Sequence, residues 1–193
     1  MLGSSVAPAV LLDIDGVLHV GDEPIAGAIE ALGELRRLSA GVRLVTNTTS
    51  KSRRQIVEQL RGLGFDVSEE DVLTPAALAV RHCRERGYRS VRLLVGEGLR
   101  EDLAELADAP KDSQVEAIVL GDLGDGFTPP LLNDAFRLLM EGAELIALQH
   151  NRYWRRADGL ALDVGAYSAA LEYASGREAF VVGKPAREFF SSA

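Results

Sequence analysis

Along the first 75 positions, short apolar runs alternate with segments whose apolar residues recur every three or four places. AVLLDI (Ala9–Ile14) and GVRLVTN (Gly41–Asn47) read as buried strands. GAIEALGELRRL (Gly27–Leu38) and SKSRRQIVEQLRGLGF, ending near Gly64, carry the helical period. That order, βαβα, predicts a parallel sheet with helices on its faces. Thr74-Pro75 then opens a further helix that runs to about Gly87, with proline in its first turn.

The alternation continues. SVRLLVG, VEAIVLG, ELIALQ and EAFVVG are strand-like. GLREDLAEL, PPLLNDAFRLLMEG, GAYSAALEYASG and the start of PAREFFSSA are helix-like. No internal repeat or low-complexity tether interrupts them, and the fold class read from the pattern is α/β. Two stretches stand out: the acidic loop GDLGDGF (Gly121–Phe127) and the basic-aromatic RYWRRADG (Arg152–Gly159). GDLGDGF does not match G-x-G-x-x-G, and its acids would repel phosphate, so it reads as a plain loop.

The first strand breaks its own pattern. Its apolar run stops at Asp13, and Asp15 and Gly16 follow. In open α/β sheets, ligands gather at the carboxyl ends of strands. Two carboxylates one residue apart attract a hard cation such as Mg²⁺. Their mutual repulsion also separates their pKa values, so one can remain an ionised nucleophile while the other shuttles a proton. The plain alternative is a strand-ending turn with two solvated acids. The second strand ends in Thr46, Asn47, Thr48, Thr49 and Ser50, whose hydroxyls, amide and following backbone N–H groups suit a phosphoryl group. Ser50 or Thr49 also reads as an ordinary helix N-cap, whereas Thr46 and Asn47 lie too early for that. Lys184, between Gly183 and Pro185 at the last strand's end, is placed to offset negative charge or to be a surface lysine.

Bulk properties narrow the partners. The 193 residues are 47% hydrophobic and 26% charged, with a formal net charge of −8. This is a globular composition, and the acidic balance argues against nucleic acid or an anionic membrane as the main partner. Cys83 is the one cysteine, so a reducing, cytoplasmic setting is the simplest expectation; it reads as a packed small hydrophobe within a helix. The N-terminus reads as neither signal peptide nor membrane span. His19, His82 and His150 show no metal spacing.

D-I-D-G-V, V-T-N and V-V-G-K-P, each closing a strand and in this order, resemble motifs one to three of the haloacid dehalogenase superfamily. The likeness covers essentially the whole chain. It is closest to members with a C2-type α/β cap between motifs two and three, within the phospholysine phosphohistidine inorganic pyrophosphate phosphatase-like subgroup, to which the stretch from Arg152 to Pro185 is similar. The resemblance implies a Rossmann-like parallel-sheet core, residues 8–75 and 166–193, and a cap, residues 76–165. It implies that Asp13 attacks phosphorus to form an aspartyl-phosphate. Asp15 would protonate the leaving group and then activate water. Thr46 and Asn47 would hold phosphoryl oxygens, Lys184 would stabilise charge around Asp13, and Mg²⁺ would bind the Asp13 carboxylate and the Asp15 backbone carbonyl.

The family's fourth acidic motif has no counterpart in the nine residues after Lys184. The expectation is therefore a C-terminally incomplete core with weak Mg²⁺ binding and low or no turnover, a truncated chain being favoured over a gap filled by another subunit or a degenerate member. Arg152, Tyr153, Trp154, Arg155 and Arg156 are the candidate cap face toward a small phosphorylated substrate, with a solvated hairpin turning at Asp158-Gly159 as the alternative. Pairing of caps into a homodimer is the assembly that the resemblance suggests. Asp163 is expected to N-cap the following helix. Two other classes compete with the phosphatase: a signalling receiver domain, disfavoured because its phospho-accepting Asp is separate from its acid pair, and a non-catalytic binding or scaffolding protein on this fold.

Overall fold

The computed structural model describes residues 9–38, 41–110, 113–156 and 158–193. The chain divides into two units. One holds the residues up to Thr46 and Arg53–Thr74, and the other holds Asn47–Ser52 and Pro75–Ser192.

The first unit begins with β1 (Ala9–Asp13). A small hairpin follows, β2 (His19–Val20) paired antiparallel with β3 (Glu23–Pro24), then α1 (Ala28–Leu38), β4 (Gly41–Val45), α2 (Arg53–Gly62) and β5 (Val72–Leu73). The strands form a parallel sheet in the order β1-β4-β5, with Asp13 opposite Val45. Leu32 of α1 and Ile56, Val57 and Leu60 of α2 bury against Val42, Leu44 and Val72, which accounts for the apolar spacing. The chain leaves α2 through Gly64 (φ +96), where the left-handed backbone lets the Phe65 N–H return to the Leu60 carbonyl at 3.0 Å. The β2–β3 hairpin was not expected: two-residue strands are too short to show any periodicity.

The second unit contains α3 (Pro75–Arg86), β6 (Val91–Leu94), β7 (Ala117–Leu120), α4 (Pro129–Met140), β8 (Glu144–Ala147), β9 (Tyr153–Arg156), β10 (Gly159–Leu162), α5 (Val164–Ser175), β11 (Phe180–Val181) and α6 (Arg187–Ser191). Its sheet is parallel, in the order β11-β8-β7-β6. All four residues of β7 are buried, as a central parallel strand covered on both faces requires. Thr128 caps α4, with prolines in its first turn, and Asp163 caps α5, as expected.

One element differs in kind. GLREDLAEL was expected to be an α-helix, but Glu97–Leu103 is a 3₁₀ helix. Gly96 and Gly98 make an α-helical nucleus costly here, and Leu99 and Leu103 still reach the core. The sequence reading gives 166–193 to the same domain as 8–75. By contacts, residues 166–192 lie in the second unit, because β11 pairs with β8. Among the described residues, no helix is long and apolar enough to cross a membrane.

Candidate active site

In the first unit, Asp13 is the last residue of β1 and is half-buried, and one of its carboxylate oxygens accepts the Ile14 N–H at 2.9 Å. Ile14 and Leu18 are buried anchors on either side of Asp15. Between them the chain makes a tight turn: the Leu18 N–H donates to the Ile14 carbonyl and the Gly16 N–H to the His19 carbonyl, both at 2.9 Å. Gly16 adopts φ +77, which only glycine takes readily. With its neighbours turned inward, the Asp15 side chain points out and is 62% exposed.

Two side chains flank the Asp15 carboxylate. The buried Thr46 hydroxyl donates to its Oδ2 at 3.3 Å. The buried His19 places Nε2 3.7 Å from its Oδ1. The other ring nitrogen, Nδ1, lies 2.8 Å from the Gly21 carbonyl, which can only accept, so Nδ1 carries a proton. Thr46 is fixed in turn by its backbone N–H to the Leu73 carbonyl, at 3.3 Å. Asp13 and Asp15 offer hard carboxylate oxygens of the kind Mg²⁺ takes. No group of three His, Cys, Asp or Glu side chains suited to a metal occurs among the described residues. The donor set fits an ion that keeps waters and takes one or two carboxylates, not a closed protein cage.

In the second unit, Asn47 and Lys184 meet. The Lys184 N–H donates to Asn47 Oδ1 at 2.7 Å, and Asn47 Nδ2 donates to the Lys184 carbonyl at 2.9 Å. Gly183 makes this approach possible, since a Cβ there would strike the Leu148 carbonyl and lie 2.8 Å from Asn47 Oδ1. Nearby in the chain, Gln149 Nε2 donates to Asp163 Oδ1, and Gln149 Oε1 accepts the Asn151 N–H at 2.5 Å.

Arg152, Tyr153, Trp154 and Arg155 lie on or beside the β9–β10 hairpin, and all are exposed. They do not share one face. The register pairs Tyr153 with Leu162 and Arg155 with Leu160, so these four side chains project together, while Trp154 projects from the opposite side with Arg156. The Arg156 guanidinium lies 5.9 Å from the Trp154 ring centre and 3.4 Å from Asp125. Gly159, expected in the turn, is instead the first residue of β10, paired with Arg156.

The sequence leaves His19 between a structural role and a place at the entrance near the acids, and the structure sets it beside Asp15. A histidine four positions after the acid was the available signal. The Asn47–Lys184 pairing spans 137 positions and had none.

The chain matches the haloacid dehalogenase-like hydrolase family over residues 10–107. It is 43% identical over all 193 residues to the haloacid dehalogenase-like hydrolase domain-containing protein 2 of Rattus norvegicus, spanning 73% of that protein. It is 44% identical over 190 residues to the phospholysine phosphohistidine inorganic pyrophosphate phosphatase of Homo sapiens, covering 95% of this chain and 68% of that one. Among solved structures, a p-nitrophenyl phosphatase from Archaeoglobus fulgidus superimposes with a TM-score of 0.88 at 30% identity, covering 97% of this chain and 72% of that one. A glycerol phosphate phosphatase from Mycobacterium tuberculosis in complex with magnesium gives 0.84 at 27%, covering 96% and 57%. With these motifs at its strand ends and relatives this similar, the chain belongs to the haloacid dehalogenase-like hydrolases, a family of α/β enzymes that includes phosphatases.

Proposed function

We propose that the protein is a Mg²⁺-dependent phosphatase that hydrolyses small phosphate esters through an aspartyl-phosphate on Asp13. The observation that carries this reading is the pair at the end of β1. Asp13 is held by the Ile14 N–H, and Asp15 is turned outward between the Thr46 hydroxyl and the His19 ring.

An Asp13 carboxylate oxygen attacks phosphorus as the bond to the leaving oxygen breaks, and Asp15 gives that oxygen its proton. Asp15, now ionised, takes a proton from water. The resulting hydroxide attacks phosphorus, the bond to Asp13 breaks, and inorganic phosphate leaves with Asp13 regenerated. Thr46 and the backbone N–H of Asn47 hold phosphoryl oxygens, and the Lys184 ammonium offsets charge on nucleophile and phosphoryl group. The Asp13 carboxylate and the Asp15 backbone carbonyl would hold Mg²⁺, which would supply the positive charge needed for an anionic nucleophile to approach an anionic phosphate. In this reading residues 76–165 are the cap and residues 8–75 and 166–193 the core. The exposed face of Tyr153 and Arg155, with Arg152 beside it, then meets the substrate.

The test is hydrolysis of p-nitrophenyl phosphate with and without Mg²⁺, with Asp13→Asn as the control. Turnover that needs Mg²⁺ and falls by about 10³-fold or more in the variant is the expected result. Turnover that survives Asp13→Asn rejects the covalent mechanism, and no turnover in the unaltered chain rejects the phosphatase reading of this chain.

A further inference from the structure

We propose that Asn47 is a positioning residue for Lys184: its side-chain amide grips both backbone polar groups of the lysine and so fixes where the ammonium is presented. This rests on the catalytic reading of Lys184 given above and changes what Asn47 contributes to it.

The two hydrogen bonds leave no freedom in the amide's orientation. The Lys184 N–H can only donate and its carbonyl can only accept, so Oδ1 must face the first and Nδ2 the second, at 2.7 and 2.9 Å. A pair of bonds to one residue restrains rotation as well as distance. A single bond would leave the lysine backbone free to pivot. The surroundings tighten the grip. Gly183 is buried and has no room for a Cβ beside Asn47 Oδ1 and the Leu148 carbonyl. The Val182 N–H is tied to the Ala147 carbonyl at 3.0 Å, and Val181 pairs with Ala147 in the sheet. The backbone entering Lys184 is thus set by β8 on one side and by Asn47 on the other. Aspartate could reproduce one of the two bonds, because it accepts but does not donate. Serine and alanine could not span both groups.

A residue that acts only by placing another loses its effect once that other is removed. In p-nitrophenyl phosphate hydrolysis, Asn47→Ala is expected to lower kcat by about 10²-fold with KM little changed, the scale of a misplaced catalytic group. In the Lys184→Ala background, the same substitution should cost less than about threefold more, since the two act as one unit. The second measurement needs no turnover. Hydrogen exchange at the Lys184 amide should accelerate in Asn47→Ala and stay slow in Asn47→Asp, which keeps the acceptor and also covers the case of an Asn47→Ala chain that fails to fold.

Losses that multiply in the double variant, with a raised KM, would show Asn47 acting on substrate by itself and overturn the inference. Unchanged Lys184 amide exchange in Asn47→Ala would overturn the clamp itself. Unchanged turnover in Lys184→Ala, or none in the unaltered chain, would instead strike the reading of Lys184 beneath it, so the two failures are told apart.

Discussion

The His82 ring lies flat on Phe180, with centroids 4.0 Å apart and planes inclined by 18°, while its Nε2 meets Glu144 Oε2 at 2.9 Å. One side chain of α3 thereby fastens both β8 and β11, the strands that lead toward Gln149 and Lys184. His82→Ala removes a hydrogen bond to a carboxylate and a ring stack, and should destabilise the chain by about 2–3 kcal/mol in urea denaturation. A double-mutant cycle with Phe180→Leu should give a coupling of about 1 kcal/mol. Full additivity would mean the stack contributes nothing.

Cys83 follows in the same helix and is fully buried. Burial, then the nearby Glu144 charge, pushes its thiol from an ordinary 9.0 up to about 11. The native thiol should therefore resist iodoacetamide at pH 8 and react fully once the chain is unfolded. The sign of the linkage follows. A raised pKa means the folded chain holds its proton where the unfolded chain has lost it. The stability this group contributes is present below pH 9.0 and is lost as pH rises toward about 11. Denaturation midpoints across that range should fall for the native sequence and fall less for Cys83→Ala.

At Gly183 a methyl group would meet the Leu148 carbonyl and Asn47 Oδ1. Gly183→Ala should cost about 3 kcal/mol, since backbone and not a flexible side chain must yield. Thermal melts compared with Gly124→Ala, where a Cβ would meet nothing within 4 Å but φ is +51, separate crowding from left-handed strain.

Asp163 is buried at the start of α5. It accepts the Val164 N–H at 2.8 Å and also the Gln149 amide. Asp163→Ala strips the cap and leaves the Gln149 donor unmet, for an expected loss of about 2 kcal/mol. Asp163→Asn keeps an acceptor and should lose less than half of that. Equal losses for the two would show that the charge matters more than the cap.

What the sequence revealed depended on the range of the forces involved. Helices α1 to α5 follow from apolar spacing and caps that act within one or two turns, so Pro75 and Asp163 could be read directly. Strands β1, β4, β6, β7 and β8 were legible as runs of Val, Leu and Ile bounded by glycine or polar residues. Partners were not legible. The apolar run EAFVVG marks β11 but not that its neighbour is β8. The acids, Thr46 and Lys184 stood out because a charged or hydroxyl residue at a strand end is costly without a purpose. Asn47 stood out with Thr46 as lying too early for a helix cap, but its pairing with Lys184 did not show, since the two lie 137 positions apart.

That separation also shows what holds the lysine in place. Asp13, Asp15 and His19 belong to one short stretch, and Thr46 joins Asp15 across 31 positions. Closing the loop of 137 positions between Asn47 and Lys184 costs about 4 kcal/mol in chain entropy, whereas two neutral hydrogen bonds return about 2. The two bonds cannot close that loop by themselves. The pairing of β11 with β8 gathers the chain, and the amide only orients what the sheet has already brought near.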